Sequence, residues 1–156
     1  MAQISTSLHG GDEEEIRSLI RAQFDSIDWA PGRDGDWPRF EAGFLSTAQL
    51  FGAKRPAQPQ SAQDFTARLK GLRDDGVLKE FSEKGVGCEV HVIGSVAVAV
   101  AGCEMTENGV EVTRDVSMFL LVRNPEGWRI AAQAWDVVED IPSAFAVAGL
   151  RTDGER

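Results

Sequence analysis

The chain has 156 residues, 42% hydrophobic and 26% charged, a balance that excludes a disordered or membrane-embedded chain and fits one globular domain with one core. Its 25 acidic against 16 basic side chains leave a net charge of −9, which repels a phosphate backbone and an anionic membrane surface, so neither nucleic acid nor membrane is expected as a partner. Cys88 and Cys103 are too few for a disulfide framework and have no Cys or His at metal-ligand spacing; in apolar, strand-like surroundings they read as small buried hydrophobes.

Residues 1–11 carry no Lys, Arg or apolar run and are expected to be a flexible N-terminus. No stretch approaches the roughly 20 apolar residues that span a bilayer, so a cytoplasmic location is expected. Asp12 followed by Glu15 has the form of a capping box, and Ile16, Leu19, Ile20, Phe24 and Ile27 then recur on one helical face, predicting a first helix over about 12–28. The segment 30–35, with Pro31, Gly32 and Gly35, breaks it. Asp36 can cap a second short helix in which Phe40 and Phe44 form an (i, i+4) pair, ending before Ala48. Beyond an apolar run at 48–51 and a loop with Pro56 and Pro59, Ser61 with Asp64 suggests the cap of a third helix buried through Phe65, Leu69 and Leu72.

From about Leu78 the period changes toward alternation, and strand signals continue almost to Ile141. Three turns punctuate them: Gly94-Ser95, Asn108-Gly109, the strongest short hairpin signal, and Asn124-Pro125-Glu126-Gly127. Turns without bulges would place His91 beside Val98, Phe119 and Ala132. The next row is then Glu89, Val100, Ser117 and Ala134, and the one after it Gly87, Gly102, Asp115 and Asp136. The opposite face, from Ala97 through Met118 and Leu120 to Trp135, is apolar too. A sheet covered on one side only would expose such a face, which predicts a homodimer packed sheet against sheet. The tail 149–156 is polar and expected to fray, leaving 12–148 as a single α+β domain.

The order of elements, the run Phe44-Leu-Ser-Thr-Ala-Gln-Leu-Phe51 after a short aromatic helix, and the late Gly127-Trp128-Arg129-Ile130 strand resemble the nuclear transport factor 2-like superfamily, which includes ketosteroid isomerase and the SnoaL-like polyketide cyclases. The resemblance covers about residues 12–140. It implies a cystatin-like, cone-shaped α+β barrel, with about three N-terminal helices in the concavity of a strongly bent antiparallel sheet. It also implies a ligand cavity inside and dimerisation through the convex face. The isomerase chemistry does not carry over. Gly52 stands where that enzyme has its aspartate base, Phe24 about where its tyrosine lies and Ser117 about where its protonated aspartic acid lies; the chain contains no tyrosine.

Asp115 and Asp136, opposite each other in a partly dry cavity, would not both ionise readily, so one could act as acid and the other as base. Alternatively they lie at a solvated rim or pair with Arg114 or Arg129. His91, on the same face, is either a general base or a hydrogen-bonded structural histidine, with Glu89 placed to polarise it. Trp29 and Trp37 flank the connection between the first helices, where a lid could form, or simply pack there. Phe24, Trp29, Trp37, Glu89, Ser117 and Phe119 are thus the expected ligand-facing residues, with Asp115, Asp136 and His91 as the catalytic set and no cofactor or metal. The functional expectation is cofactor-independent acid–base chemistry of the isomerase, cyclase or dehydratase kind on a small apolar molecule. The alternative is a non-catalytic dimeric binding or association module. No phosphate-binding Gly-rich loop, Gly-x-Ser-x-Gly elbow or His-Glu-x-x-His pattern occurs in the sequence.

Overall fold

A computed structural model describes residues 7–152; the expectations for 1–6 and 153–156 lie outside the described residues. Helix α1 (Ser7–Ser26) is followed by α2 (Trp37–Ala42), β1 (Phe44–Phe51), the short β2 (Pro59–Gln60) and α3 (Ala62–Asp74). Strands β3 (Phe81–Ile93), β4 (Val96–Glu107), β5 (Glu111–Asn124) and β6 (Gly127–Val137) come next, then helix α4 (Ile141–Val147). The strands form one open, six-stranded sheet in the order β2-β1-β6-β5-β4-β3, not a closed barrel.

The local rules explain most of these elements. Ile16, Ile20 and Phe24 of α1, with Ile27 just beyond its end, form a buried stripe against the inner face of the sheet. Asp36 caps α2, accepting from the Arg39 amide at 3.2 Å, and Ser61 caps α3, accepting from the Asp64 amide at 3.0 Å. The Phe40 and Phe44 rings meet at 5.1 Å although Phe44 already belongs to β1. Asp12 is no cap, because α1 begins at Ser7. Within the helix its carboxylate instead accepts from Trp128 Nε1 at 3.0 Å and Arg123 at 3.2 Å, tying α1 to β5 and β6.

Two further expectations are corrected. The sheet is mixed, because β1 runs parallel to β6, a pairing that no local turn encodes. A fourth helix follows the strands and packs on their outer face, where Phe145 is buried. Beyond it, the Leu150 amide donates to the Phe145 carbonyl at 2.8 Å and the Arg151 amide to Glu89 Oε2 at 3.0 Å.

The register differs from the bulge-free one at three places. Asn108 and Gly109 both take positive φ, 52° and 71°, and Val110 N–H returns to the Glu107 carbonyl, but the ladder resumes only at Glu107 opposite Glu111. Val110 is therefore an extra residue. Ala131 is another, since Leu121 pairs with Ile130 and Leu120 with Ala132. On β3, Cys88 pairs with Ala101 and Val86 with Gly102, which makes Gly87, at φ 77°, a third. Because side chains alternate faces, each extra residue turns the following ones over.

Candidate functional site

The inner face lines a cavity of about 180 Å³, partly open to solvent, between the sheet, α1 and α3. Its walls are mainly aromatic and aliphatic: Phe24 from α1, Phe40 from α2, Phe65 from α3, Phe81 from β3 and Trp135 from β6. Three carboxyls line this space, Glu83 from β3, Glu107 from the end of β4 and Asp115 from β5.

The shifted register places Glu83 and Asp115 there. On β4, Ala97, Ala99, Ala101 and Cys103 point inward and are buried. Cys103 pairs with Gly85 on one side and Asp115 on the other, while Glu83 pairs with Met105 one step along. The bulge at Gly87 reverses the alternation of β3, so Val90 is inward on one side of it and Glu83 and Phe81 on the other. Gly85 keeps the floor open, since a Cβ there would come within 3.3 Å of the Phe24 ring.

Asp115 is 6% exposed, and burial raises its carboxyl from the ordinary 3.8 to about 7. Glu83 is held well above the usual carboxylate range by burial and then by the nearby Asp115 charge. Burial, together with both carboxylates, also pushes up the Cys103 thiol and keeps it protonated and unreactive. Among the described residues neither carboxyl has a hydrogen-bond or ion-pair partner in the protein. Beside them runs a buried amide chain. Gln23 Nε2 donates to Gln133 Oε1, Gln133 Nε2 donates to Ser117 Oγ at 3.1 Å, and Gln23 Oε1 is left without a partner.

Asp115, Ser117 and Phe24 line this cavity. Asp136 does not: Val116, not Asp115, is its cross-strand neighbour, and it is exposed on the outer face. The two aspartates stand back to back across the sheet, which corrects the shared row expected from bulge-free turns. His91 also faces outward, its side chain 61% exposed and its Nε2 3.4 Å from Glu89 Oε1. Phe119 is inward but packed in the core. Trp29 and Trp37 are core residues as well, with ring centroids 5.4 Å apart; Trp29 donates to the Leu78 carbonyl at 3.0 Å and Trp37 to Asp34 at 3.2 Å. The sequence reading missed Glu83, Gln23, Gln133 and the cavity role of Trp135. For Glu83 a signal existed: Gly85 and Gly87 inside a strand mark a bulge or a close approach.

No protein-family model matches the sequence, and no curated protein does. Solved structures do. A protein of unknown function with a cystatin-like fold from Nostoc punctiforme superposes with a TM-score of 0.64 at 17% identity, over 89% of this chain and 85% of that one. A nuclear transport factor 2-like protein of unknown function from Pseudomonas putida gives 0.64 at 16% identity, over 95% and 98%. A type 2 hexachlorocyclohexane dehydrochlorinase gives 0.65 at 11% identity, over 85% and 89%. At such identities the likeness concerns architecture, and on that ground the chain has the cystatin-like fold of the nuclear transport factor 2-like proteins.

Proposed function

We propose that the inner cavity is the active site of a cofactor-independent acid–base enzyme of the isomerase, cyclase or dehydratase kind, acting on a small, mostly apolar molecule. The observation that carries this reading is the pair Asp115 and Glu83, two unpartnered carboxyls in one apolar cavity, one raised to about 7 and the other raised well above its usual range. Like-charged neighbours in a dry site hold a proton between them near neutrality. The ionised member takes a proton from a carbon next to an electron-withdrawing group. The protonated member returns one to the oxygen or carbon where charge collects, so no net proton is gained or lost. In this proposal Glu83 takes the part that the sequence assigned to Asp136 and His91. The dehydrochlorinase among the similar structures is a precedent for elimination chemistry on this architecture.

Compounds shown to bind the cavity would be incubated in heavy water and followed by NMR for exchange of C–H hydrogens or for turnover. The native chain should exchange them, and Asp115→Asn should slow exchange by about 100-fold or more. Binding without any exchange would instead favour the second reading, a non-catalytic binding or association module.

A specific observation also supports association. Val96, Val98, Met118 and Leu120 are about half exposed together on the outer face. We propose that this face joins two copies of the chain. Sedimentation analysis should then find a dimer that Leu120→Glu converts to a monomer. Among the described residues no helix is long and apolar enough to cross a membrane, and a cytoplasmic location belongs to the same proposal.

A further inference from the structure

We infer that the ligand of this cavity is a small organic cation, a protonated amine on a body about one ring in size. The inference rests on the cavity being the functional site, and it concerns binding, not turnover.

The unsatisfied polar atoms carry it. Glu83 and Asp115 are acceptors when ionised and have no partner in the protein among the described residues. Gln23 Oε1, contributed by a different element, is a further acceptor without a partner, on a residue 5% exposed. Gln23 and Gln133 each commit one amide N–H along the chain from Gln23 to Gln133 to Ser117. A cavity that offers mainly acceptors calls for a ligand that donates.

Charge points the same way. Among the described residues Arg68 is the one cation lining the cavity; it is exposed, and its guanidinium lies 5.4 Å from the centre of the Phe65 ring. Glu107 adds a further negative charge to the lining. Glu83, itself only part-buried, also lines an outer groove together with Phe24, to which α1 and β3 add Arg17, Arg21, Asp25 and Lys84. None of these makes an ion pair with Glu83 that the structure records, and Asp115 is the charged group whose proximity raises Glu83. When the pair ionises, no ion pair recorded among the described residues offsets its charge; a bound cation would offset it, and an anion would be repelled.

The walls suit the rest of such a molecule. Phe24, Phe40, Phe65, Phe81 and Trp135 offer aromatic surface, to which an organic cation is attracted through the ring quadrupole. The volume, about 180 Å³, matches a single ring, since apolar cavities of about 150 Å³ accept benzene.

The test uses benzylamine, with benzyl alcohol as its neutral match and benzoate as its anionic match, titrated calorimetrically into the full chain at pH 8. Benzylamine should bind about tenfold or more tighter than the alcohol, and benzoate more weakly than either. The amine's preference over the alcohol should fade as pH falls below 7, while the amine itself stays protonated. Each of the isosteric variants Asp115→Asn and Glu83→Gln should lose much of that preference. Equal binding of amine and alcohol would overturn the inference, and so would a failure of all three probes to bind the folded chain. The catalytic reading fails separately, through absent C–H exchange in compounds that do bind.

Discussion

The two faces of the sheet carry the same kinds of residue and differ in what surrounds them. On the outer face, Glu89, His91 and Asp136 stand in or near water, Glu89 beside His91 and within reach of the Arg151 amide. On the inner face, Glu83 and Asp115 stand among aromatic rings with no partner, and their proton affinities rise accordingly. The contrast teaches that a carboxyl in this fold becomes a chemical group through the side of the sheet it occupies. That side depends on single extra residues in the strands.

The severest way to break the contrast is to disturb the packing beside the Gly87 bulge. Gly102 lies against it: a Cβ there would sit 2.4 Å from both the Val86 carbonyl oxygen and Ile141 Cγ2. Because one of these atoms is backbone, Gly102→Ala should cost about 3 kcal/mol or more, read as a fall in the denaturation midpoint. An unchanged midpoint would mean that the β3–β4 register near Gly87 is softer than described.

Next in size is the effect of the buried carboxyl on stability. Asp115 has a folded value of about 7 against an ordinary 3.8, so the folded chain holds a proton that the unfolded chain releases between those pH values. Its contribution is therefore fully present below about pH 4 and lost as pH rises to 7. Asp115→Asn should leave stability near pH 4 unchanged and raise it by a few kcal/mol at pH 8, seen as a flatter dependence of melting temperature on pH. A variant curve parallel to that of the native chain would place Asp115 in water.

The smallest expected effect sharpens the contrast from the other side. His91→Gln and Asp136→Asn change exposed outer-face groups, so each should shift stability by less than about 0.5 kcal/mol and leave any cavity-dependent exchange intact. A large loss of exchange in either variant would return these residues to the catalytic set.

Much of the architecture was legible before any coordinates, because it is written in short-range chemistry. The caps at Asp36 and Ser61, the buried stripe of α1 and the turns at Gly94, Asn108 and Asn124 each depend on neighbours a few residues apart. Composition and alternation also disclosed that both faces of the sheet are apolar. The candidate site was legible only in part. Phe24, Asp115 and Ser117 were singled out from the sequence and line the cavity, but the proposed partner of Asp115 was sought in Asp136 rather than Glu83.

The tertiary structure decided the parallel pairing of β1 with β6, the outer position of α4 and the three extra residues Gly87, Val110 and Ala131. The physical reason is the two-residue period of a strand. An amphipathic helix tolerates a small error in reading its phase, whereas one inserted residue reverses every side chain beyond it. Where both faces are apolar, hydrophobic alternation cannot expose such a reversal. Close packing around Gly85, Gly87 and Gly102 then selects which carboxyls meet inside.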